Sequence, residues 1–251
     1  MSIVQNLENI KKELVSNNIN SKIIAVSKTF ELPHIQPLIN HGHLAYGENK
    51  VQEAKRKWEE LLKIKNNIEL HLIGGLQTNK SKDAVKLFHY IHSVDREKLV
   101  DTLASAETNL NLKRKYFLQV NTGDEDQKSG VSIENTEQLY NYAQKKIDII
   151  GLMCIPPVEE DSKKHFEILR ELSIKLNLKE PLATYSPAFE ALVVCWAAIT
   201  LGLAAIAISI NSSKLFGKLE ANSGILIPDA SKAKTLVNSA LAASKFAYAI
   251  D

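Results

Sequence analysis

The sequence predicts an α/β fold of the TIM (β/α)8-barrel type, and three observations support this prediction. Short apolar runs alternate with amphipathic segments up to about residue 180, which indicates strands covered by helices. The runs are nearly continuously apolar, as in parallel strands that are buried on both faces. A length of 251 residues suits one large barrel or two smaller domains. Six strand–helix units precede residue 180, and two further units, aberrant in sequence, would close the barrel.

The elements follow one another in a regular order. The first is an amphipathic helix marked by Val4, Leu7, Ile10 and Leu14, without the apolar core of a signal peptide. Apolar runs then predict strands at Ile23–Lys28, Leu44–Gly47, Glu69–Gly74, Tyr90–Val94, Tyr116–Asn121 and Ile149–Ile155. Helical periodicity predicts helices over 31–41, 50–64, 79–88, 96–108, 133–146 and 160–177.

Composition argues against several classes of function. The net charge of +2 leaves no electrostatic footprint for nucleic acid, and the basic clusters 55–57 and 80–82 are interpreted as solvated helix faces. Cys154 and Cys195 are too few for a disulfide framework and fit a reducing cytoplasm. The seven histidines show no metal-binding spacing, so no metal site is predicted.

Lys28 stands at the end of the first predicted strand, after the apolar run Ile23–Val26. Apolar surroundings can remove water from an amine, lower its pKa and free its lone pair to form a Schiff base. The alternative is a solvated charge at the end of a strand. In a TIM barrel, however, the site lies at the carboxyl ends of the strands. The residues there are Lys28, Asn49, Gly74-Gly75, Asp95, Asn121 and Pro156-Pro157.

Two of these strand-end segments each allow two interpretations. Asn49 can cap the next helix, with Gln52 completing a capping box, or Gly47-Glu48-Asn49 can be a well-built turn. Gly74-Gly75 can let the backbone approach a ligand at the start of a helix, or can form a flexible turn.

Several motifs, taken in order, resemble the pyridoxal phosphate homeostasis proteins, single-domain relatives of the barrel of alanine racemase. The resemblance extends over about residues 20–180. It rests on the segments Ala25–Thr29, Tyr46–Glu53, His71–Lys80, Val120–Gly123, Lys128–Val131 and Gly151–Pro157. It implies that Lys28 holds pyridoxal phosphate (PLP) as an internal aldimine and that Asn49 lies beside this cofactor. Gly75 departs from the family, in which many members carry histidine.

The C-terminal third departs further, which divides the chain into residues 1–180 and a divergent segment, 181–251. By the same resemblance, Ser186 is a remnant of the phosphate-binding hydroxyl. No arginine follows Arg170, so the arginine near the pyridine ring has no counterpart. We hypothesise a frameshift near residues 181–198. Ile199–Ala204 can be encoded by codons that, translated in another reading frame, give Asn-Phe-Arg-Ile-Gly, which is a signature of the family. Sequencing the gene tests this hypothesis: it fails where no single-base change restores a family-like ending.

The run Ala191–Ile210 carries no charged residue and is long enough to span a bilayer. Its high alanine content weakens the membrane interpretation, and a strand–helix pair that fills the last barrel positions, or an accidental product of frame change, is preferred. The tail 211–251 ends in an alanine-rich helical pattern without recognised resemblance.

The leading functional prediction is a cytoplasmic, monomeric PLP-binding protein that acts in cofactor homeostasis without turnover of its own. PLP-requiring apoenzymes are its expected recipients. The racemases draw an opposing tyrosine from a second domain that this chain lacks, and Tyr46, near the predicted site, is interpreted as a packing residue. The alternatives are a PLP-dependent amino-acid racemase or lyase, and a degraded product unable to bind PLP.

Overall fold

Helices and strands alternate along the described part of the chain. The computed structural model describes residues 2–16, 21–123, 129–157, 160–178, 182–184 and 193–197, the last two ranges by their backbone alone. The chain divides into residues 1–208 and 209–251, and every described residue lies in the first unit. The predictions for Ser186 and for residues 211–251 concern positions outside these ranges.

The helices are α1 (Ile3–Ser16), α2 (Leu32–Asn40), α3 (Val51–Ile64), α4 (Ser81–Leu87), α5 (Glu97–Leu110), α6 (Thr136–Ala143) and α7 (Ser162–Lys175), with a 3-10 turn at Thr78–Lys80 before α4. The strands are β1 (Ser21–Val26), β2 (Ala45–Glu48), β3 (Glu69–Leu72), β4 (Tyr90–Val94), β5 (Lys115–Asn121), β6 (Val131–Ser132), β7 (Asp148–Cys154), β8 (Leu182–Thr184) and β9 (Val193–Ala197).

The strands and helices predicted before residue 180 are all present, with small differences in their bounds. Strand β4 has the predicted bounds, and α1 forms with Leu7 and Leu14 buried, one heptad apart. The helix predicted over 133–146 is shorter, because Val131 and Ser132 first pair with Val120 and Asn121 as strand β6. Local periodicity could not foresee that strand pairing.

The strands form a ring, which confirms the TIM-barrel class. Strands β1, β2, β3, β4, β5, β7 and β8 pair in that order and are all parallel. Strand β9 closes the ring between β8 and β1, and it is antiparallel to both. The barrel therefore differs from the all-parallel arrangement at its last position.

The length of the last connection explains the reversed strand. Only residues 185–192 separate β8 from β9, whereas a parallel crossover needs a dozen or more residues. Residues 193–197 of the apolar run thus fill a barrel position, while the helix of the expected strand–helix pair lies outside the described residues. None of the helices in the described part of the chain has both the length and the hydrophobicity required to cross a membrane.

Alternating side chains build two apolar layers. In β1, Ile23 packs into the layer between strands and helices, while its neighbour Ile24 packs inside the barrel. Tyr116 and Phe117 divide in the same way in β5. This period of two is what a strand buried on both faces requires.

Four rings from three neighbouring strands stack inside the barrel. His71 lies 4.3 Å from Tyr90 and parallel to it, and His92 lies 4.5 Å from Phe117, measured between ring centroids. The His71 Nδ1 and His92 Nε2 atoms are 3.1 Å apart. Burial lowers the pKa of His92 to about 3 and also lowers the pKa of His71 well below its usual value. Both imidazoles are therefore neutral at physiological pH.

Candidate functional site

The residues predicted to form the site lie at the carboxyl ends of adjacent strands. Lys28 follows β1 by two residues and Asn49 directly follows β2, and both side chains are partly exposed. Because β1 and β2 are parallel with Val26 opposite Gly47, the two residues leave the sheet at the same level. The structure thus brings Lys28 and Asn49 together at one rim of the barrel.

The backbone turns sharply immediately after Lys28. The Phe30 amide donates to the Ser27 carbonyl oxygen at 3.2 Å, and Thr29 between them has a φ of 67°. This left-handed conformation is uncommon for a β-branched residue and costs on the order of 1–3 kcal/mol. The surrounding contacts must therefore hold the turn in place.

A buried carboxylate lies beneath Lys28. Glu48, the last residue of β2, is fully buried, and its Oε1 atom accepts hydrogen bonds from three donors. These are Ser27 Oγ at 2.6 Å, Lys57 Nζ at 2.8 Å and Trp58 Nε1 at 2.9 Å. The Lys57 ammonium also donates to the Ser27 carbonyl oxygen at 2.6 Å. Strands β1 and β2 and helix α3 are thereby tied together next to Lys28.

This cluster corrects the interpretation of the basic segment 55–57 as a solvated face. Lys57 is only 9% exposed, whereas Lys55, two positions earlier, has a side chain that is 44% exposed. In α3 the buried positions Val51, Ala54 and Trp58 follow the helical repeat, and Lys57 lies at the edge of that stripe. Composition alone gives no sign that one lysine of this segment turns inward.

The predicted cap at Asn49 does not form. Helix α3 starts at Val51 with Lys50 in the N-cap position, and no described side chain caps it. Asn49 instead belongs to the turn that leaves β2, the second of the two interpretations that the sequence allows. Its side chain is consequently not committed to the helix start.

Gly74 serves a contact between chain segments. A Cβ atom built on Gly74 would lie 2.8 Å from the Asn49 Cα atom and closer still to the Asn49 carbonyl oxygen. The Ile73 amide donates to the Glu48 carbonyl oxygen at 2.9 Å, which holds the two segments in this position. Gly74 thus permits the close approach of the Asn49 backbone, while Gly75 has open space around it.

A second polar cluster lies past the ends of β5 and β7. His165 Nδ1 is 2.9 Å from Thr122 Oγ1, and His165 Nε2 is 3.3 Å from Glu160 Oε2. Burial raises the pKa of the nearby Cys154 thiol to about 12. This cysteine is therefore a protonated packing residue and not a nucleophile.

The tyrosines of the described barrel strands, Tyr46, Tyr90 and Tyr116, lie away from the carboxyl ends of those strands. Tyr46 is buried outside the barrel wall, where it packs on Trp58 and donates to the His43 carbonyl oxygen, and burial raises its pKa. Tyr90 is the first residue of β4 and Tyr116 the second of β5, at the opposite end of the strands. The packing role expected for Tyr46 is what the structure shows.

Sequence reasoning missed Ser27, Glu48, Lys57 and Trp58 as neighbours of the site. The partners of Ser27 in this cluster are 21 and 30 positions away along the chain. The one available signal was Glu48 itself, a charged residue that ends an otherwise uncharged strand, because a buried carboxylate requires donors.

A family model and the curated relatives both place this chain in one family. The alanine racemase N-terminal domain model matches residues 1–196. A pyridoxal phosphate homeostasis protein of Aquifex aeolicus is 37% identical over 162 residues, which cover 62% of this chain and 70% of that protein.

Solved structures agree with this comparison. The structure of PipY from Synechococcus elongatus without PLP has a TM-score of 0.64 and 29% identity, covering 72% of this chain and 87% of PipY. The structure of PipY with PLP bound has a TM-score of 0.60 and 28% identity over the same shares.

Proposed function

This chain belongs to the pyridoxal phosphate homeostasis proteins, a family built on the alanine racemase N-terminal domain, and from that premise we propose that it binds PLP through Lys28 and serves in cofactor homeostasis. One observation carries the proposal. The Lys28 side chain at the carboxyl end of β1 is partly exposed, whereas the preceding residue, Ser27, is buried and only 1% exposed. The relative PipY has been solved with PLP bound.

The residues at this rim suit the cofactor. PLP supplies an aldehyde that condenses with an unprotonated lysine amine, forming a C=N bond and releasing one water. Lys28 offers the amine at an accessible edge, while Glu48, the buried carboxylate beneath it, is committed to Ser27, Lys57 and Trp58. Asn49 offers an amide on the adjacent strand. Ser186, outside the described residues, is proposed as a phosphate-binding hydroxyl.

We propose a carrier without turnover in preference to a racemase, and the relatives named pyridoxal phosphate homeostasis proteins support this choice. Racemisation needs a second base that faces the lysine, and the tyrosines of the described barrel strands, Tyr46, Tyr90 and Tyr116, lie in the first half of those strands and not at their carboxyl ends. The Cys154 thiol, with its pKa near 12, cannot take that role. We propose PLP-requiring apoenzymes of the cytoplasm as recipients, served by a monomeric carrier.

Borohydride trapping tests the proposed function. The purified protein is mixed with PLP, its visible spectrum is recorded, and reduction followed by peptide mapping locates the label. We expect one label, on Lys28, and its loss in Lys28→Ala.

Lys50→Ala is the matched control, because the Lys50 side chain is 72% exposed and lies close to the same rim. This variant should keep the label on Lys28. A wild-type protein that is folded but gains no label would overturn the proposal. Racemisation of an amino acid by the wild type, lost in Lys28→Ala, would favour the enzyme over the carrier.

A further inference from the structure

Hydrogen bonds of Ser27 hold the backbone that leads directly into Lys28. Its hydroxyl donates to Glu48 Oε1, and its carbonyl oxygen accepts from Lys57 Nζ. The same carbonyl accepts from the Phe30 amide across the strained turn at Thr29. The Ser27 carbonyl belongs to the peptide group that joins Ser27 to Lys28, so these bonds set the orientation of that peptide plane.

The charges of this cluster are costly to keep in the interior. The side chains of Glu48 and Lys57 are 0% and 6% exposed, so both ions have lost nearly all contact with water. Glu48 Oε2 has no hydrogen-bond partner among the described residues. Replacing a buried ion pair with apolar residues is often neutral or stabilising. Stability by itself therefore does not account for an ion pair at this position.

The pair does supply geometry that an apolar pair could not. Lys57 reaches from α3 to β1 and donates to both Glu48 and the Ser27 carbonyl. Trp58, the next residue of α3, donates to the same carboxylate oxygen. Two consecutive helix residues thus lock the end of β2 and the end of β1 in a fixed relation.

We propose that Glu48, Lys57 and Trp58 are positioning residues for Lys28: their buried hydrogen bonds fix the Ser27–Lys28 peptide so that the lysine amine is held ready for the aldehyde of PLP. This inference rests on the proposed function and extends it to residues that do not touch the cofactor. The proposed role of these three residues is to orient Lys28, which is a different role from stabilising the barrel.

A double variant distinguishes positioning from stability. Lys57→Met alone leaves a buried carboxylate without its counter-ion, and both folding and PLP binding should suffer. Glu48→Gln combined with Lys57→Met removes both charges, and its melting temperature should return towards that of the wild type. The Ser27 carbonyl still lacks its ammonium donor, so the affinity for PLP, titrated by visible absorbance, should remain at least tenfold weaker.

Glu107→Gln is the matched control. Glu107 is also buried, and its carboxylate accepts from Arg114 N, Tyr116 Oη and Lys113 Nζ. Glu107 belongs to helix α5, and its partners lie at the amino-terminal start of β5, the end of that strand away from the Lys28 rim. This variant should lose stability while keeping the PLP affinity and the pH dependence of the visible band.

The outcomes separate this inference from the proposed function. A wild type that gains no label on Lys28 contradicts the proposed function and the inference with it. A labelled wild type and a double variant of equal PLP affinity would overturn the inference alone. Where the double variant fails to fold, Ser27→Ala tests the same link, because it deletes only the hydroxyl that donates to Glu48. We expect it to weaken PLP binding severalfold, and an unchanged affinity would again overturn the inference.

Discussion

Gly74 shows how one missing side chain shapes the proposed PLP site. The glycine packs against the backbone of Asn49, which leaves the sheet beside Lys28. A side chain added at Gly74 would therefore displace the backbone of Asn49, a residue proposed to lie beside the cofactor. The neighbouring Gly75 faces open space, so the two glycines play different roles even though they are adjacent in sequence.

Gly74→Ala should therefore destabilise the fold and weaken PLP binding, while Gly75→Ala should do neither. A Cβ at residue 74 would lie 2.8 Å from the Asn49 Cα atom, so backbone must move, and overpacking of this kind costs typically about 1–3 kcal/mol. Alanine at residue 75 should change the free energy of unfolding by less than about 0.5 kcal/mol. Chemical denaturation and PLP titration of both variants provide the measurement, and equal behaviour of the pair would contradict the assignment.

Strands β3 and β4 carry the polar part of the barrel interior. His71 and His92 face each other across this strand pair, each stacked on an aromatic ring. Burial lowers the pKa of both, so the folded protein resists protonating them while the unfolded chain accepts protons near pH 6.5. Protonation of the two histidines in acid therefore favours the unfolded chain and lowers the stability of the folded protein.

We expect the free energy of unfolding to fall as the pH drops from about 6.5 towards 3, and His92→Gln to reduce that fall. The pKa of His92 is near 3 in the folded state, so between these limits the unfolded state binds one more proton at this site. The free energy of unfolding of the wild type should therefore change with pH by about 1.4 kcal/mol per pH unit more than that of the variant. Denaturation at several pH values between 6 and 4 measures both slopes, and parallel curves would show that His92 does not cause the acid sensitivity.

The closure of the barrel is a property of the whole chain. Strand β9 pairs with both β1 and β8 and so covers two edges that would otherwise be open. One of these edges belongs to β1, which leads to Lys28. An open sheet edge offers unpaired backbone groups to other chains and promotes aggregation.

A chain that ends at residue 190 should therefore aggregate, whereas one that ends at residue 208 should remain folded. The shorter chain lacks β9 and leaves the edges of β1 and β8 unpaired, and the longer chain keeps the unit that extends to residue 208. Size-exclusion chromatography with light scattering compares the two. A monomeric, cooperatively unfolding shorter chain would show that β9 is dispensable, and it would support the predicted division at residue 180.

Local patterns in the sequence by themselves determined much of this protein. The six strand–helix units, the TIM-barrel class and the location of Lys28 at a strand's carboxyl end all follow from periodicity and from the rule that parallel strands end at one edge. These features depend on residues close together in sequence. The roles of Lys28, Asn49 and Ser186 at the cofactor remain predictions, as does the origin of residues 181–251.

Only the tertiary structure decided which residues support Lys28 and how the barrel closes. The ion pair of Glu48 with Lys57, the contact of Gly74 with Asn49 and the antiparallel β9 join segments that are separate in sequence. A lysine that faces water and one that turns inward have the same local pattern. The difference arises from the donors and acceptors that neighbouring strands and helices bring to it, because a buried charge is tolerated only where such partners converge.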